Sequence, residues 1–285
     1  MAVDNTEGEQ MAETPPVMHT PPSNLLLRVI SALVLIPLAL IAVWLGSPWF
    51  DALLVVFGLA MMAEWLGMVG GGAWLKATFA VLGLVIAAGF VFPHLAWPVT
   101  IWWGMGASTG CLLGVIGIVA GWARLGWLGL ALVYCWTPVA ALIWLRMSPD
   151  GLWWVAWVLL VVWGTDIGGY FVGRSAGGVK LMPHISPKKT WSGLFGGMAV
   201  AAIAAAAAAL YFSLPGSLWA YGTAGAGLAV AAQAGDLAES ALKRRFGVKD
   251  SGRLIPGHGG VLDRVDGLVF VAPIVATAVA VVGMA

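Results

Sequence analysis

After a polar opening, the chain is an almost unbroken series of apolar runs. Residues Met1 to Asn24 are rich in proline (Pro15, Pro16, Pro21, Pro22) and carry only acids (Asp4, Glu7, Glu9, Glu13). A segment of this composition cannot bury a core, and its charge is the wrong sign for the n-region of a signal peptide. It reads as a disordered tail, 1–24. From Leu25 onward, stretches near the ~20 residues needed to cross a bilayer follow one another, separated by Gly, Pro, Trp and charge. The predicted spans are Leu25–Leu45, Phe50–Val69, Trp74–Phe92, Trp97–Ala120, Leu125–Leu145, Leu152–Val172, Trp191–Phe212, Ser217–Ser240 and Val265–Gly283. The fold expected is therefore all-α and polytopic, with about nine transmembrane helices. It divides into N-terminal helices, 25–150, and a C-terminal region, 151–285, that carries two long polar loops, 174–190 and 243–264.

Composition agrees with the pattern and narrows it. The chain is 61% apolar and 9% charged, with mean hydropathy +0.94, which excludes a soluble globule. The net charge of +1 becomes mildly positive once the acidic tail is set aside. Nucleic acid is not an expected partner, because the sequence holds no helix-turn-helix, zinc-finger or RNP pattern. Cys111 and Cys135 stand inside apolar runs without CxxC spacing, so they read as core thiols.

The basic residues fix an orientation. With the N-terminus in the cytoplasm, Arg28, Lys76, Arg124, Arg174, Lys180, Lys188, Lys189, Lys243, Arg244, Arg245, Lys249, Arg253 and Arg264 face inward, and Arg146 alone faces outward. Trp49, Trp74, Trp97, Trp153 and Trp191 at segment ends fit an interfacial belt, and the remaining tryptophans read as lipid-facing bulk. The runs Ala204–Ala209 and Gly222–Gly227 read as close helix packing.

Candidate chemistry is concentrated late in the chain. The first five predicted spans contain only Asp51 and Glu64 as acids, whereas Thr165 to Asp266 is dense in charge and glycine. Asp166 lies about two turns before the inner end of its span, where a carboxylate needs a partner. Asp236, Glu239 and Ser240 share a helix face at i, i+3 and i+4, and Lys243 and Arg244 continue it. Glu239–Lys243 is an ion-pair spacing; Asp236 has no such partner, and a divalent cation is the simplest candidate. In KDSGRLIPGHGGVLDRVDG, Gly257, Gly259 and Gly260 free backbone N–H groups for phosphate oxygens, and Lys249, Arg253, His258 and Arg264 add positive charge. Asp263 and Asp266 place carboxylates beside that cationic loop, a combination suited to metal–polyphosphate binding. HISPKKTWSG reads as a helix start with Ser186 as N-cap and Pro187 at the first helical position, which leaves Lys188 and Lys189 opposing the helix dipole unless they meet an anion. No GxxxxGK[ST], GxSxG or HExxH occurs, which disfavours P-loop, serine-hydrolase and zincin chemistry.

The run from Ser240 through Lys243, Arg244, Lys249, Asp250, Ser251, His258, Gly259, Gly260, Asp263 and Arg264 to Asp266 resembles the signature of phosphatidate cytidylyltransferases, or CDP-diacylglycerol synthases. The likeness extends upstream through Gly235-Asp236, Ile185–Thr190 and Thr165-Asp166. It implies transfer of CMP from CTP to phosphatidate with Mg²⁺, a polytopic helical fold, and a homodimer. It further implies metal ligation by Asp236 and Asp263, with Asp166 and a second cation as additions. Catalytic roles would fall on Asp236, Asp263, Lys243 and Arg264. Substrate contacts would fall on Lys188, Lys189, Ser240, Arg244, Lys249, Asp250, Ser251, His258, Gly259, Gly260 and Asp266. Two positions depart from the pattern: Ser192 stands where Glu often follows Lys-Lys-Thr-Trp, and Gly267 where Ser is usual. The location expected is a bacterial inner membrane, with the N-terminus and active site cytoplasmic. A CTP-dependent polyprenol or phytol kinase is the rival enzyme, although its alcohol acceptor would call for a base. A transporter would want midplane acids and an internal repeat, and neither is visible.

Overall fold

The computed structural model describes residues 24–70, 80–86 and 123–283, together with positions 72, 73, 77 and 115. Seven long helices and one hairpin make up the named elements: α1 Asn24–Leu45, α2 Trp49–Val69, α3 Ala123–Met147, α4 Gly151–Ala176, β1 Lys180–Met182, β2 Ser186–Thr190, α5 Trp191–Tyr211, α6 Leu218–Arg245 and α7 Leu262–Gly283. Each helix overlaps one of the predicted spans. Trp74–Phe92 and Trp97–Ala120, and Cys111 within the latter, fall wholly or mostly outside the described residues. Five helices among the described residues are long and apolar enough to cross a bilayer, from α2, α3, α4, α5 and α7. The protein is thus an all-helical integral membrane protein apart from its hairpin.

The helices run up and down between two ends of different character. At one end, Arg146 donates from Nε and Nη2 to the carbonyls of Val43 and Trp44, 2.9 and 3.3 Å. These belong to the last turn of α1, where helix carbonyls run out of backbone donors, so the one cation predicted on this side serves as a helix cap. Every other polar feature described below gathers at the opposite end.

Small residues set the spacing there. A methyl group on Gly168 of α4 would lie 2.5 Å from the Gly196 carbonyl of α5, and one on Gly196 would lie 2.3 Å from Val172 Cβ. These helices therefore touch backbone to backbone, as small residues in membrane helices allow. Ala205 of the alanine run is fully buried and faces Gly225 of α6. A methyl on Gly235 would lie 2.3 Å from the Asp266 carbonyl, so α6 and α7 come closest at the level of the acids. The expectation of lipid-facing tryptophans needs correction for three of them. Trp65, Trp136 and Trp157 are 1%, 3% and 2% exposed, and Trp65 and Trp157 donate across helices to the carbonyls of Trp127 and Ala205. An indole that packs inside can satisfy its N–H on a neighbouring helix, which lipid cannot offer.

The second correction concerns 174–190. Residues 186–190 form a strand, not a helix start, and pair antiparallel with β1 in the register Lys180↔Thr190 and Met182↔Ser186. Two lysines would oppose the dipole of a first turn, and pairing with β1 holds Ser186–Thr190 extended instead. Thr190 takes the N-cap place instead, its hydroxyl accepting from Gly193 N at 3.1 Å.

Candidate active site

Three elements meet at the polar end: the hairpin, the inner end of α6, and the segment 246–261 with the start of α7. Lys189 leaves β2 and pairs with Asp236 of α6. Asp236, which has no basic neighbour on its own helix, thus finds its protein partner on the hairpin. It also accepts from Ser240 Oγ, 3.3 Å away. One oxygen each from Asp236, Glu239 and Asp266 lies within 4.8 Å of the other two. Glu239 is 1% exposed, and its Oε1 accepts no hydrogen bond among the described residues. Asp166 on α4 lies within electrostatic reach of Asp236, Lys189 and Arg264, and Asp266 within that of Asp236, Asp166 and Lys189.

Asp263, expected from the family pattern to share a metal with Asp236, stands next to this group rather than in it. Its Oδ1 accepts from Lys243 Nζ at 2.6 Å, and the same ammonium is 2.5 Å from Glu239 Oε2. Oδ2 accepts from Gly260 N at 2.8 Å and from Ser251 N and Oγ at 3.0 Å each. Lys243 lies beyond the apolar stretch of α6. Burial pulls its pKa down, but hydrogen bonds to Asp263 and Glu239 outweigh that and hold it above its ordinary value. It stays an ammonium ion that bridges two carboxylates.

The rest of the expected set is arranged around this centre. Arg264 donates twice to the His258 carbonyl, 2.6 and 3.0 Å, and Arg244 once to Val248 O at 3.3 Å. Ile255 and Gly259 form an isolated bridge, and Gly257 and Gly259 adopt φ of +75° and +87°, which glycine takes without strain. Lys188, Lys249 and Asp250 are exposed at the rim. Ser192, at a position that departs from the family pattern, bonds Thr190 Oγ1 and the Gly177 carbonyl, so it steadies the hairpin base.

Sequence reasoning gave no role to Glu64. This residue of α2 is 6% exposed, and it accepts from Val261 N and Leu262 N at 2.9 and 3.0 Å and from Ser251 Oγ at 3.1 Å. The signal available was an isolated carboxylate in an apolar span, which is costly without partners.

With this geometry in place, similarity to known proteins decides the family. The pattern of the cytidylyltransferase family matches residues 26–282. The chain belongs to the cytidylyltransferase family. It is 38% identical to a phosphatidate cytidylyltransferase of Brucella suis biovar 1 (strain 1330), over 88% of this chain and 91% of that protein. It is also 38% identical to one from Pseudomonas aeruginosa, over 87% and 94%, and 31% identical to one from Rickettsia bellii, over 88% and 89%. As a cytidylyltransferase it is a nucleotidyltransferase, and its cluster of acids is one that could hold a metal ion.

Proposed function

We propose that this protein is a phosphatidate cytidylyltransferase, which transfers CMP from CTP to phosphatidate and releases pyrophosphate. The observation that carries the reading is the single polar end of a membrane-embedded bundle. There, carboxylates from two helices meet lysines from two chain segments, beside a glycine-rich loop that belongs to the matched family.

Phosphatidate presents an ionised phosphate monoester, so its nucleophilic oxygen needs no base. That oxygen forms a bond to the α-phosphorus of CTP as the α–β phosphoanhydride breaks, and the electron pair leaves with pyrophosphate. The obstacle is repulsion between the two anions, and the protein's task is to neutralise and align them. Lys189, Lys243 and Arg264 are the cations nearest the acids, while Lys188, Arg244 and Lys249 draw phosphate from the rim. The glycine turn around Gly259, with Gly260 and Ser251 held from within by Asp263 and with Asp250 and His258 beside it, forms the loop that receives the triphosphate, and Ser240 steadies Asp236.

The three clustered carboxylates form a hard-oxygen donor set of the kind Mg²⁺ takes, and the free Glu239 Oε1 leaves a lone pair for it. Asp236, Asp266 and Glu239 would hold that ion, with Asp166 alongside. Asp263, held by Lys243 next to this group, would join Asp236 in holding a second cation. Bound Mg²⁺ supplies charge neutralisation on the phosphate oxygens.

The remaining architecture follows the sequence reading: a free tail over 1–24, N-terminal helices over 25–150 and the catalytic region over 151–285. Nine spans and a homodimer in a bacterial inner membrane complete it, with the N-terminus and the two loops cytoplasmic. Trp65 of α2 meets Trp127 of α3 near the polar end, which calls for an even number of crossings between these helices, as the two spans at 74–92 and 97–120 would provide. Purified protein given labelled CTP, phosphatidate and Mg²⁺ should yield lipid-linked CMP and pyrophosphate in equal amounts. CDP as the nucleotide product would identify a lipid kinase instead.

A further inference from the structure

Glu64 is the acid of α2 that reaches the polar end, and its hydrogen-bond donors all lie between Ser251 and Leu262. Its carboxylate receives the first free N–H groups of α7, from Val261 and Leu262, and the hydroxyl of Ser251. A methyl group on Gly252 would come within 2.5 Å of Glu64 Oε1, and one on Gly260 within 2.5 Å of Oε2, so the segment closes over the carboxylate on both sides. Ser31 of α1 adds a hydrogen bond to the Pro256 carbonyl, 2.8 Å. The contacts then continue inward without a gap: Ser251 Oγ to Asp263 Oδ2, 3.0 Å, Asp263 Oδ1 to Lys243 Nζ, 2.6 Å, and Lys243 Nζ to Glu239 Oε2, 2.5 Å.

Helix packing alone does not ask for a carboxylate here. A buried anion in an apolar helix is expensive and is kept only where its partners return the cost. The N–H groups at the start of α7 would otherwise point outward as an anion-binding end. Glu64 takes up the N–H groups of Val261 and Leu262, and Asp263 takes up that of Gly260, so the two carboxylates together set the path of the chain from the glycine turn into α7.

We propose that Glu64 is a positioning residue for the nucleotide: from the N-terminal half of the chain it latches segment 246–261 in the shape that binds the CTP triphosphate. The proposal rests on the reading of that segment as the triphosphate site. It makes Glu64 a determinant of CTP affinity without contact to either substrate, and with no influence on the lipid.

The test uses full-length protein in detergent and two readouts, substrate kinetics and trypsin cleavage after the exposed Arg253. Glu64→Gln keeps the size of the side chain but gives up the charge that holds two backbone donors. It should raise KM for CTP about ten-fold, the worth of roughly one charge-assisted hydrogen bond, and leave KM for phosphatidate within about two-fold. Cleavage after Arg253 should quicken by a similar factor. Gly252→Ala pushes on the same carboxylate from the loop side and should reproduce both changes, which decides the matter if Glu64→Gln does not fold. Unchanged cleavage, or equal rises in both KM values, would overturn the latch. A wild-type protein that makes no lipid-linked CMP would sink the activity reading instead, and the cleavage comparison would still decide whether Glu64 holds the segment.

Discussion

The two polar segments at the site are held by different means. The hairpin 180–190 closes on itself through backbone pairing, and it delivers one side chain, Lys189, to the acids. Segment 246–261 has an isolated bridge between Ile255 and Gly259 and is held besides by side chains from elsewhere: carboxylates of α2 and of the first turn of α7, Arg264 on the His258 carbonyl and Ser31 on that of Pro256. A hairpin spreads its support over many bonds, none of which is decisive. Among the side chains that hold segment 246–261, Glu64 and Asp263 are the charged acceptors, and each hydrogen bond that they take from it is worth about 1.5–3 kcal/mol. Position along the chain does not explain the contrast, since both segments join two long helices. The hairpin presents a cation, Lys189, whereas segment 246–261 is drawn onto carboxylates through its own N–H groups.

The acids should show the contrast most strongly. Asp236→Asn and Asp263→Asn are each expected to lower turnover about a hundredfold or more, and the double variant to be little worse than either. Asp263→Asn takes the charge from a side chain whose two oxygens serve three donors on the loop and Lys243, and leaves one oxygen to accept, so it should also quicken trypsin cleavage after Arg253. Asp236→Asn should leave that cleavage alone. Multiplicative losses in the double variant would mean that the two acids serve separate steps.

A paired glycine experiment sharpens the same point at intermediate size. Gly259 and Gly178 both have positive φ, +87° and +98°. A methyl on Gly259 meets Asp263 Oδ2 at 2.9 Å, whereas one on Gly178 meets nothing within 4 Å. Both alanine variants pay about 1–2 kcal/mol for a left-handed backbone. Only Gly259→Ala should lose activity beyond its loss of stability, by about ten-fold in kcat/KM for CTP, the equivalent of roughly 1.4 kcal/mol. Equal activity per folded protein in the two would show that the segment tolerates being moved.

The lysines of the hairpin give the smallest effect. Lys189 pairs with Asp236, and Lys188 beside it is exposed. Lys189→Ala should cost about ten-fold in turnover and Lys188→Ala about three-fold or less in KM, since exposed charges are screened by water and salt. Reversal of that order would place the triphosphate on the outer edge of the hairpin.

Much of this was legible in the sequence for physical reasons that apply to particular residues. Membrane spans announce themselves by composition, and the described helices overlap the predicted ones because lipid leaves the backbone no alternative. Glu239–Lys243 was legible because helix spacing fixes which side chains meet. The hairpin was not, because Ser-Pro before an apolar run imitates a capped helix, and strand pairing with Lys180–Met182 is a contact between segments. Asp236 read as unpartnered for the same reason, as its lysine comes from the far side of a helix. Nor can a single sequence say that Gly235 lets α7 approach until Asp266 joins Asp236. Glu64 was visible only as an anomaly, one acid in an apolar helix whose partners lie almost two hundred residues away.

The central claim is that the acids at the inner end of α6 and α7 hold the cation that CTP needs. Titrating Mg²⁺ against residual turnover per folded protein, in the wild type and in Asp236→Asn, tests it directly. The half-saturating Mg²⁺ concentration should rise about ten- to a hundredfold in the variant, as expected when a metal loses a ligand or its support. A folded, active Asp236→Asn protein with the wild-type Mg²⁺ requirement would contradict it.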